Sequence, residues 1–195
     1  TEIAGGVRNV YMYDCVFEGT DQAFRFKTRR PRGGFVENIY VERVRANVKR
    51  QALYCDMLGS ARWVGELAQR YPAREITPLT PWFANISIHD VEITGCSTLV
   101  DVSALPEKPV KNFFFGNVKA HCDRIGKICD ATKFSMKDVR IESCDTVMRI
   151  DNCDYASFFG FSNVTTGSSV KIEKTGGECR YLNVQTYPLV PVNYQ

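Results

Sequence analysis

A short phrase of alternating apolar and polar residues recurs along the chain at least six times, and most copies end in an acidic or amide residue and a valine. Alternation with a period of two is typical of β-strands, in which successive side chains point to opposite faces. The copies begin at Val7, Val36, Phe83, Val110, Thr132 and Ser157, and a weaker copy ends at Val184. The pattern therefore predicts a series of related strands.

The closing valines are unevenly spaced. From Val44 through Val91, Val118, Val139 and Val164 to Val184, the intervals are 47, 27, 21, 25 and 20 residues. Irregular periods of roughly 20 to 30 residues with strand-type alternation are typical of a parallel β-solenoid whose turns, here called coils, vary in length. The frame of leucine-rich repeats is absent. The sequence predicts an all-β fold, with residues 1–195 forming one domain of stacked coils.

Stacked coils make the neighbours of each residue predictable. Each strand should pair with the equivalent strand of the next coil about 4.8 Å away, so that equivalent side chains form columns. We expect Val10, Ile39, Ile86 and Phe113 to stack inward, and a core that includes Phe24, Phe26, Ile39, Leu53, Ile86 and Ile88. We expect Asn9, Asn38, Asn85 and Asn112 to cap free backbone groups at turns.

Residues 60–81 interrupt the repeat and are predicted to be an insertion between coils. Trp63, Leu67 and Tyr71 have the spacing of one helical face, which predicts a helix over 61–71 that ends before Pro72. Insertions in solenoids cluster on one face and often border the binding groove. A plain surface loop remains an alternative.

Composition limits the classes of function. The chain has 195 residues, 44% hydrophobic and 24% charged, which predicts a globular protein. A mean hydropathy of −0.23, with no apolar run near the ~18 residues that span a bilayer, predicts no membrane partner. A net charge of +3 gives no reason to expect nucleic acid. The eight cysteines form no Cys-x-x-Cys pair, so we predict no metal and no cofactor, and favour buried thiols over disulfides.

One strand carries the clearest candidate chemistry. In Gln22–Thr28, alternation sends Phe24 and Phe26 to one face and Arg25 and Lys27 to the other. Two cations on an extended strand suit an anionic ligand, and arginine can bind a carboxylate through two parallel hydrogen bonds. Arg29, Arg30 and Arg32 follow beyond the regular alternation and are expected to matter less.

The same frame returns 29 residues later as Gln51–Asp56. This offset predicts that Tyr54 lies beside Arg25 and that Asp56 lies beside Lys27. Tyr54 could stack on a sugar ring next to a bound carboxylate. Three plainer alternatives stay open: the strand is a solvated basic surface, Tyr54 is an ordinary member of a column, and Asp56 only neutralises Lys27.

Several motifs resemble those of one enzyme family. Ile3-Ala-Gly-Gly-Val-Arg-Asn-Val, Arg25-Phe-Lys-Thr and Gly33-Gly34 resemble the region of polygalacturonase-like enzymes of glycoside hydrolase family 28 in which an Arg-Ile-Lys motif binds substrate. Phe26 replaces the usual isoleucine. The stretches from Thr80 and from Ala104 are similar to the carboxy-terminal coils of bacterial members. The resemblance implies a right-handed single-stranded parallel β-helix that acts on galacturonan, in a secreted or periplasmic parent enzyme.

The catalytic motifs of that family are absent from the sequence. These enzymes hydrolyse α-1,4-linked galacturonan by inversion with Asn-Thr-Asp, Asp-Asp and Gly-His-Gly motifs, all upstream of the Arg-Ile-Lys segment, and none occurs here. His89 and His121 lie in other contexts. Asp151 and Asp154 flank Asn152-Cys153 in what resembles a turn rather than a catalytic pair. We therefore predict no catalytic residue in this chain, which we expect to begin just after the catalytic coils.

Two hypotheses follow for function. In the first, the chain is the carboxy-terminal part of a pectin-degrading hydrolase, with Arg25, Lys27 and Tyr54 binding a galacturonate unit and the upstream coils of the same parent chain as its partner. In the second, it is a non-catalytic solenoid that binds acidic polysaccharide or acts as a scaffold.

Overall fold

The computed structural model describes residues 5–186, and most of them lie in β-strands. The strands are β1 (Gly6–Thr20), β2 (Phe24–Lys27), β3 (Phe35–Val48), β4 (Gln51–Asp56), β5 (Trp82–Ser103), β6 (Val110–Glu142), β7 (Val147–Asp154), β8 (Ser157–Phe159), β9 (Ser162–Asn163), β10 (Ser168–Ser169), β11 (Lys171–Gly176) and β12 (Asn183–Gln185). A helical turn, α1 (Ala61–Val64), continues into a 3-10 helix (Gly65–Ala68). No helix within 5–186 has the length and apolar character to cross a bilayer.

Lateral pairing joins the described strands into one sheet. Its main path runs β1-β3-β5-β6-β7-β11, while β2 pairs with β4, β4 also pairs with β5, and β8 and β9 pair with β6. Every named pair is parallel except the short β9–β10 contact. The prediction of an all-β chain with extensive parallel pairing is confirmed.

The predicted inward column exists in the predicted register. Val10 pairs with Ile39, Ile39 with Ile86, and Ile86 with Phe113, and the Phe113 ring stacks on that of Phe134 at 5.0 Å. The last three members of the predicted column are buried, but Val10 is 38% exposed. The expectation that Val10 is buried is wrong, because within the described residues β1 has a strand on one side only.

The valine column is predicted correctly for its first part. Val44, Val91 and Val118 pair in register and are buried. The later equivalence is wrong: Arg140 pairs with Ser162, which puts Phe161 rather than Val164 beside Val139. Val164 instead follows the end of β9 into a turn and is 55% exposed, and Val184 pairs with Phe158. The valine alone therefore does not mark the register, because the interval between paired residues varies along the chain.

The predicted core is largely confirmed. Phe24, Ile39, Leu53, Ile86 and Ile88 are all buried. Phe26 is the exception, since it is only partly buried, although it packs against the core. Its ring meets Phe83 and Phe113 edge-on at 6.4 and 6.5 Å.

Asparagines mark the bends in the strands. Asn9, Asn38, Asn85 and Asn112 have φ between 55° and 56°, in the left-handed region, which asparagine adopts more readily than most residues. Their side chains bond to each other: Asn38 donates to Asn9 at 3.0 Å, Asn85 to Asn38 at 3.1 Å, and Asn112 to Asn85 at 2.9 Å. These four residues, the asparagine ladder, therefore pair with one another rather than capping backbone groups as expected.

The ladder yields a stability prediction at Asn85, which both donates to and accepts from a neighbour. Asn85→Ala should lower the free energy of unfolding by about 2 to 4 kcal/mol, because two hydrogen bonds are lost and alanine is strained at this φ. Asn85→Gly should cost only about 1 to 2 kcal/mol, since glycine accepts the backbone conformation. Urea unfolding measures both. Equal losses in the two variants would contradict the role of backbone conformation.

Candidate functional site

The site begins with the pairing of two short strands. In β2, Phe24 faces the core, while Arg25 and Lys27 are exposed. The parallel pairing of β2 with β4 puts Arg25 beside Tyr54 and Lys27 beside Asp56. Both neighbour relationships were predicted from the 29-residue offset and are confirmed. The core-facing residues of the two strands thus fix which polar side chains meet outside.

These strands form the floor of a cleft of about 460 Å³. Its lining residues come from β2, from the loop that follows β2, from β4, from the turn after β4 and from α1: Arg25, Lys27, Thr28, Arg29, Arg32, Tyr54, Asp56, Gly59, Ser60 and Trp63. Among these described residues, four carry a cationic side chain and one carries a carboxylate. The cleft therefore has an excess of positive charge and suits an anionic ligand.

Tyr54 connects the cations to the carboxylate. The Arg25 guanidinium carbon lies 5.9 Å from the centre of the Tyr54 ring, within reach of a cation–π contact. The Tyr54 hydroxyl donates to Asp56 Oδ2 at 3.3 Å. Burial, assisted by the Asp56 charge, raises the pKa of Tyr54 to about 12. The hydroxyl therefore stays protonated at neutral pH and remains a donor.

The Asp56 carboxylate is hydrogen-bonded to the backbone of the turn that follows it. Its Oδ1 accepts hydrogen bonds from the amides of Leu58, at 2.9 Å, and Gly59, at 3.0 Å. These bonds close the turn by which the chain leaves β4. Gly59 has φ of 76°, and an added Cβ there would lie 3.1 Å from the Arg29 side chain. The turn thus brings its glycine against Arg29, at the rim of the cleft.

Arg30 has a structural role that the sequence analysis did not predict. Its side chain and that of Glu107 are each 5% exposed, and Nε and Nη2 donate to the two Glu107 oxygens at 2.6 Å. Nη1 donates to the backbone oxygens of Leu67, at 3.2 Å, and Gln69, at 2.7 Å. Although burial opposes ionisation, hydrogen bonds from Arg30 lower the pKa of Glu107. Arg30 therefore anchors the segment 60–81 to the sheet.

The predicted helix over 61–71 is wrong. The α-helical turn ends at Val64, and Gly65 has φ of 55°, a conformation that glycine adopts without strain. Trp63 is 66% and Tyr71 50% exposed, so they do not form a buried helical face. Trp63 instead lines the cleft. The spacing of Trp63 and Tyr71 does not indicate a helix here, because Gly65 ends the α-helical turn after Val64.

A second arginine fastens the far end of the same segment. Arg70 bonds to Asp130 at 2.6 and 2.9 Å and to Asp151 at 2.8 and 2.9 Å. The Asp130 side chain is fully buried.

Asp154 is paired with Arg180. Asp151 and Asp154 both lie in β7, and not in the turn that the sequence suggested, because only Asn152 between them takes a left-handed φ.

One group of side chains within residues 5–186 has the spacing of metal ligands. It consists of Glu42, His89 and Asp90. His89 Nδ1 lies 2.8 Å from Asp90 Oδ2, and Nε2 lies 3.8 Å from Glu42 Oε2. The Arg43 guanidinium bonds to Glu42 and to Asp14, which gives the Glu42 carboxylate a cationic partner without a metal. His121 lies elsewhere, 3.6 Å from Glu142.

Comparisons with protein-family models, curated proteins and solved structures found no match to this chain.

The anchor at Arg30 yields a prediction. Glu107→Gln should lower the free energy of unfolding at pH 7 by about 3 kcal/mol or more, because it leaves a buried guanidinium without its counter-charge. The pKa of Glu107 is lowered in the folded protein, so its contribution is complete above about pH 4.3 and falls as pH drops through the folded value. The difference between wild type and variant should therefore shrink below about pH 4.

Urea unfolding at several pH values measures this difference. Glu92→Gln is the matched control, since Glu92 is 60% exposed and lies 3.9 Å from Arg45, and it should cost less than about 1 kcal/mol. A loss in Glu107→Gln no larger than in the control would show that the segment is held by other contacts.

Proposed function

We propose that this chain is the carboxy-terminal part of a galacturonan hydrolase similar to the polygalacturonases, and that its cleft binds a uronate unit of the substrate. The observation that carries the proposal is the pairing of Arg25 and Lys27 with Tyr54 and Asp56 in a cleft with an excess of cations. In this arrangement the guanidinium and ammonium bind the carboxylate of the sugar. The Tyr54 ring packs against the sugar, and its hydroxyl is protonated.

We propose a right-handed single-stranded parallel β-helix as the architecture. Parallel pairing of residues 29, 47 and 27 positions apart along the path β1-β3-β5-β6 supports it. Left-handed bends in successive strands also support it. The handedness comes from the family resemblance.

The outer edge of β1 supports a proposal about which segment pairs with this chain. In the described part of the molecule β1 pairs only with β3, and Val7, Val10 and Val16 on it are 43%, 38% and 64% exposed. An apolar strand edge of this length favours addition of another strand. We propose that upstream coils of the same parent chain pair there, and that the parent enzyme is secreted or periplasmic.

The cleft holds binding groups rather than an acid and base pair. Asp56, the carboxylate among its described lining residues, already accepts two backbone amides and the Tyr54 hydroxyl. Inversion needs two carboxyl groups about 6.5 to 9.5 Å apart with a water between them. The proposed catalytic groups therefore belong to the upstream coils. The same observation favours the second candidate, a non-catalytic module that binds acidic polysaccharide.

Binding measurements test the proposed site. Arg25→Ala and Lys27→Ala should each weaken digalacturonate binding by about 10- to 100-fold, the effect of losing a charged hydrogen bond. Stability should barely change, because both side chains point away from the core. Arg45→Ala is the control, since Arg45 is 63% exposed and outside the cleft. Calorimetric titration at low ionic strength, where screening is weakest, gives the affinities.

Unchanged affinity in both cleft variants would overturn the proposed site.

The chain alone should release no reducing sugar from polygalacturonate. Asn-Thr-Asp, Asp-Asp and Gly-His-Gly motifs encoded in frame upstream would favour the hydrolase over the binding module, and an unrelated upstream domain would favour the module.

A further inference from the structure

The lining of the cleft contains four cationic side chains and two aromatic rings. The first position consists of Arg25, Lys27 and Tyr54 on paired strands. The second position consists of Arg29 and Arg32, in the loop after β2, and Trp63, on α1. A single uronate has one carboxylate and one sugar ring, so it can engage only one such set fully.

Trp63 lines the cleft with its side chain largely exposed. It is 66% exposed, yet the turn that carries it is fixed at its start by Ser60, whose hydroxyl oxygen accepts from the Arg62 amide at 3.3 Å. The Arg62 guanidinium carbon lies 5.2 Å from the centre of the Trp63 ring. One exposed aromatic residue needs no explanation by itself. An exposed indole in the wall of a cationic cleft is a platform for the apolar face of a sugar.

Backbone hydrogen bonds hold the loop that carries Arg29 and Arg32. Arg32 donates its amide to the Arg29 carbonyl at 2.9 Å, and Gly33 donates to Leu79 at 2.8 Å. Gly59 packs beside the Arg29 side chain. On the other wall, Arg30 holds the backbone that follows Trp63 through Leu67 and Gln69. The two walls of the second position are thus joined by one buried arginine.

We propose that the cleft binds two successive uronate units of an acidic chain, with the second unit stacked on Trp63 and its carboxylate bound by Arg29 and Arg32. This rests on the proposed function, since it extends the same cleft from one sugar to two. The ligand class is therefore a linear oligouronide, and Trp63 is a specificity-determining residue for its length. A cleft of about 460 Å³ lies within the ordinary range of small-molecule sites.

Titration of the whole chain with galacturonate and with digalacturonate tests this proposal. The wild type should bind digalacturonate about tenfold more tightly than galacturonate, the gain expected from an added aromatic contact. Trp63→Ala should remove this gain and leave galacturonate binding unchanged, whereas Trp63→Phe should keep most of it. Arg29→Ala should also weaken only digalacturonate binding. Tyr71→Ala is the matched control, because Tyr71 is an exposed aromatic residue of the same segment that does not line the cleft.

Tryptophan fluorescence gives an independent readout. The chain has two tryptophans, and Trp82 packs on Phe35 at 5.4 Å away from the cleft. In a Trp82→Phe variant the emission comes from Trp63 alone. We expect digalacturonate, but not galacturonate, to shift this emission.

The outcomes separate the two proposals. If Arg25→Ala weakens both sugars while Trp63→Ala weakens neither, the second position is wrong and the uronate site stands. If Trp63→Ala weakens both sugars equally, Trp63 belongs to the first position, and the two-unit proposal is overturned. If Arg25→Ala changes neither affinity, the proposed function itself is overturned.

Discussion

Lateral hydrogen bonding between parallel strands is the constraint on which the rest of this structure depends. Because the pairing is in register, it turns residues that are 22 to 48 positions apart in sequence into neighbours about 4.8 Å apart. The same pairing buries the column of Ile39, Ile86 and Phe113 and sets Arg25 beside Tyr54. The asparagine ladder acts at the bends, where a left-handed backbone would otherwise carry strain. Core, bends and cleft are thus consequences of one register.

Buried charge has a different task in this molecule from exposed charge. Arg30 with Glu107, and Arg70 with Asp130 and Asp151, attach an irregular segment that has little core of its own. Each pair is satisfied by several hydrogen bonds, which offset the cost of removing the charges from water. Arg25 and Lys27 are exposed instead. Both side chains line the cleft.

The sequence could predict what depends on alternation and on equal spacing. It placed Tyr54 beside Arg25 and Ile39 beside Ile86, since both follow from counting between copies of the repeat. It failed at Val164, where the chain turns out of its strand, and at Val10, where burial depends on a second neighbouring strand. It also missed Arg30 and Trp63, whose partners lie in a segment without periodicity. Arg30 bonds to residues that are distant in sequence and Trp63 shares the cleft with such residues, and no repeat or periodic pattern relates those positions.

The segment between Asp56 and Trp82 lengthens the interval between paired strands without disturbing their register. Ile39 pairs with Ile86 across 47 residues as directly as Val10 pairs with Ile39 across 29. One wall of the cleft is therefore modular, while its floor is fixed by the sheet. Replacing this segment would change that wall and leave the register of the sheet unchanged. An engineer could graft another loop at the same two junctions, provided that it kept an acceptor for Arg30 and a cation for Asp130.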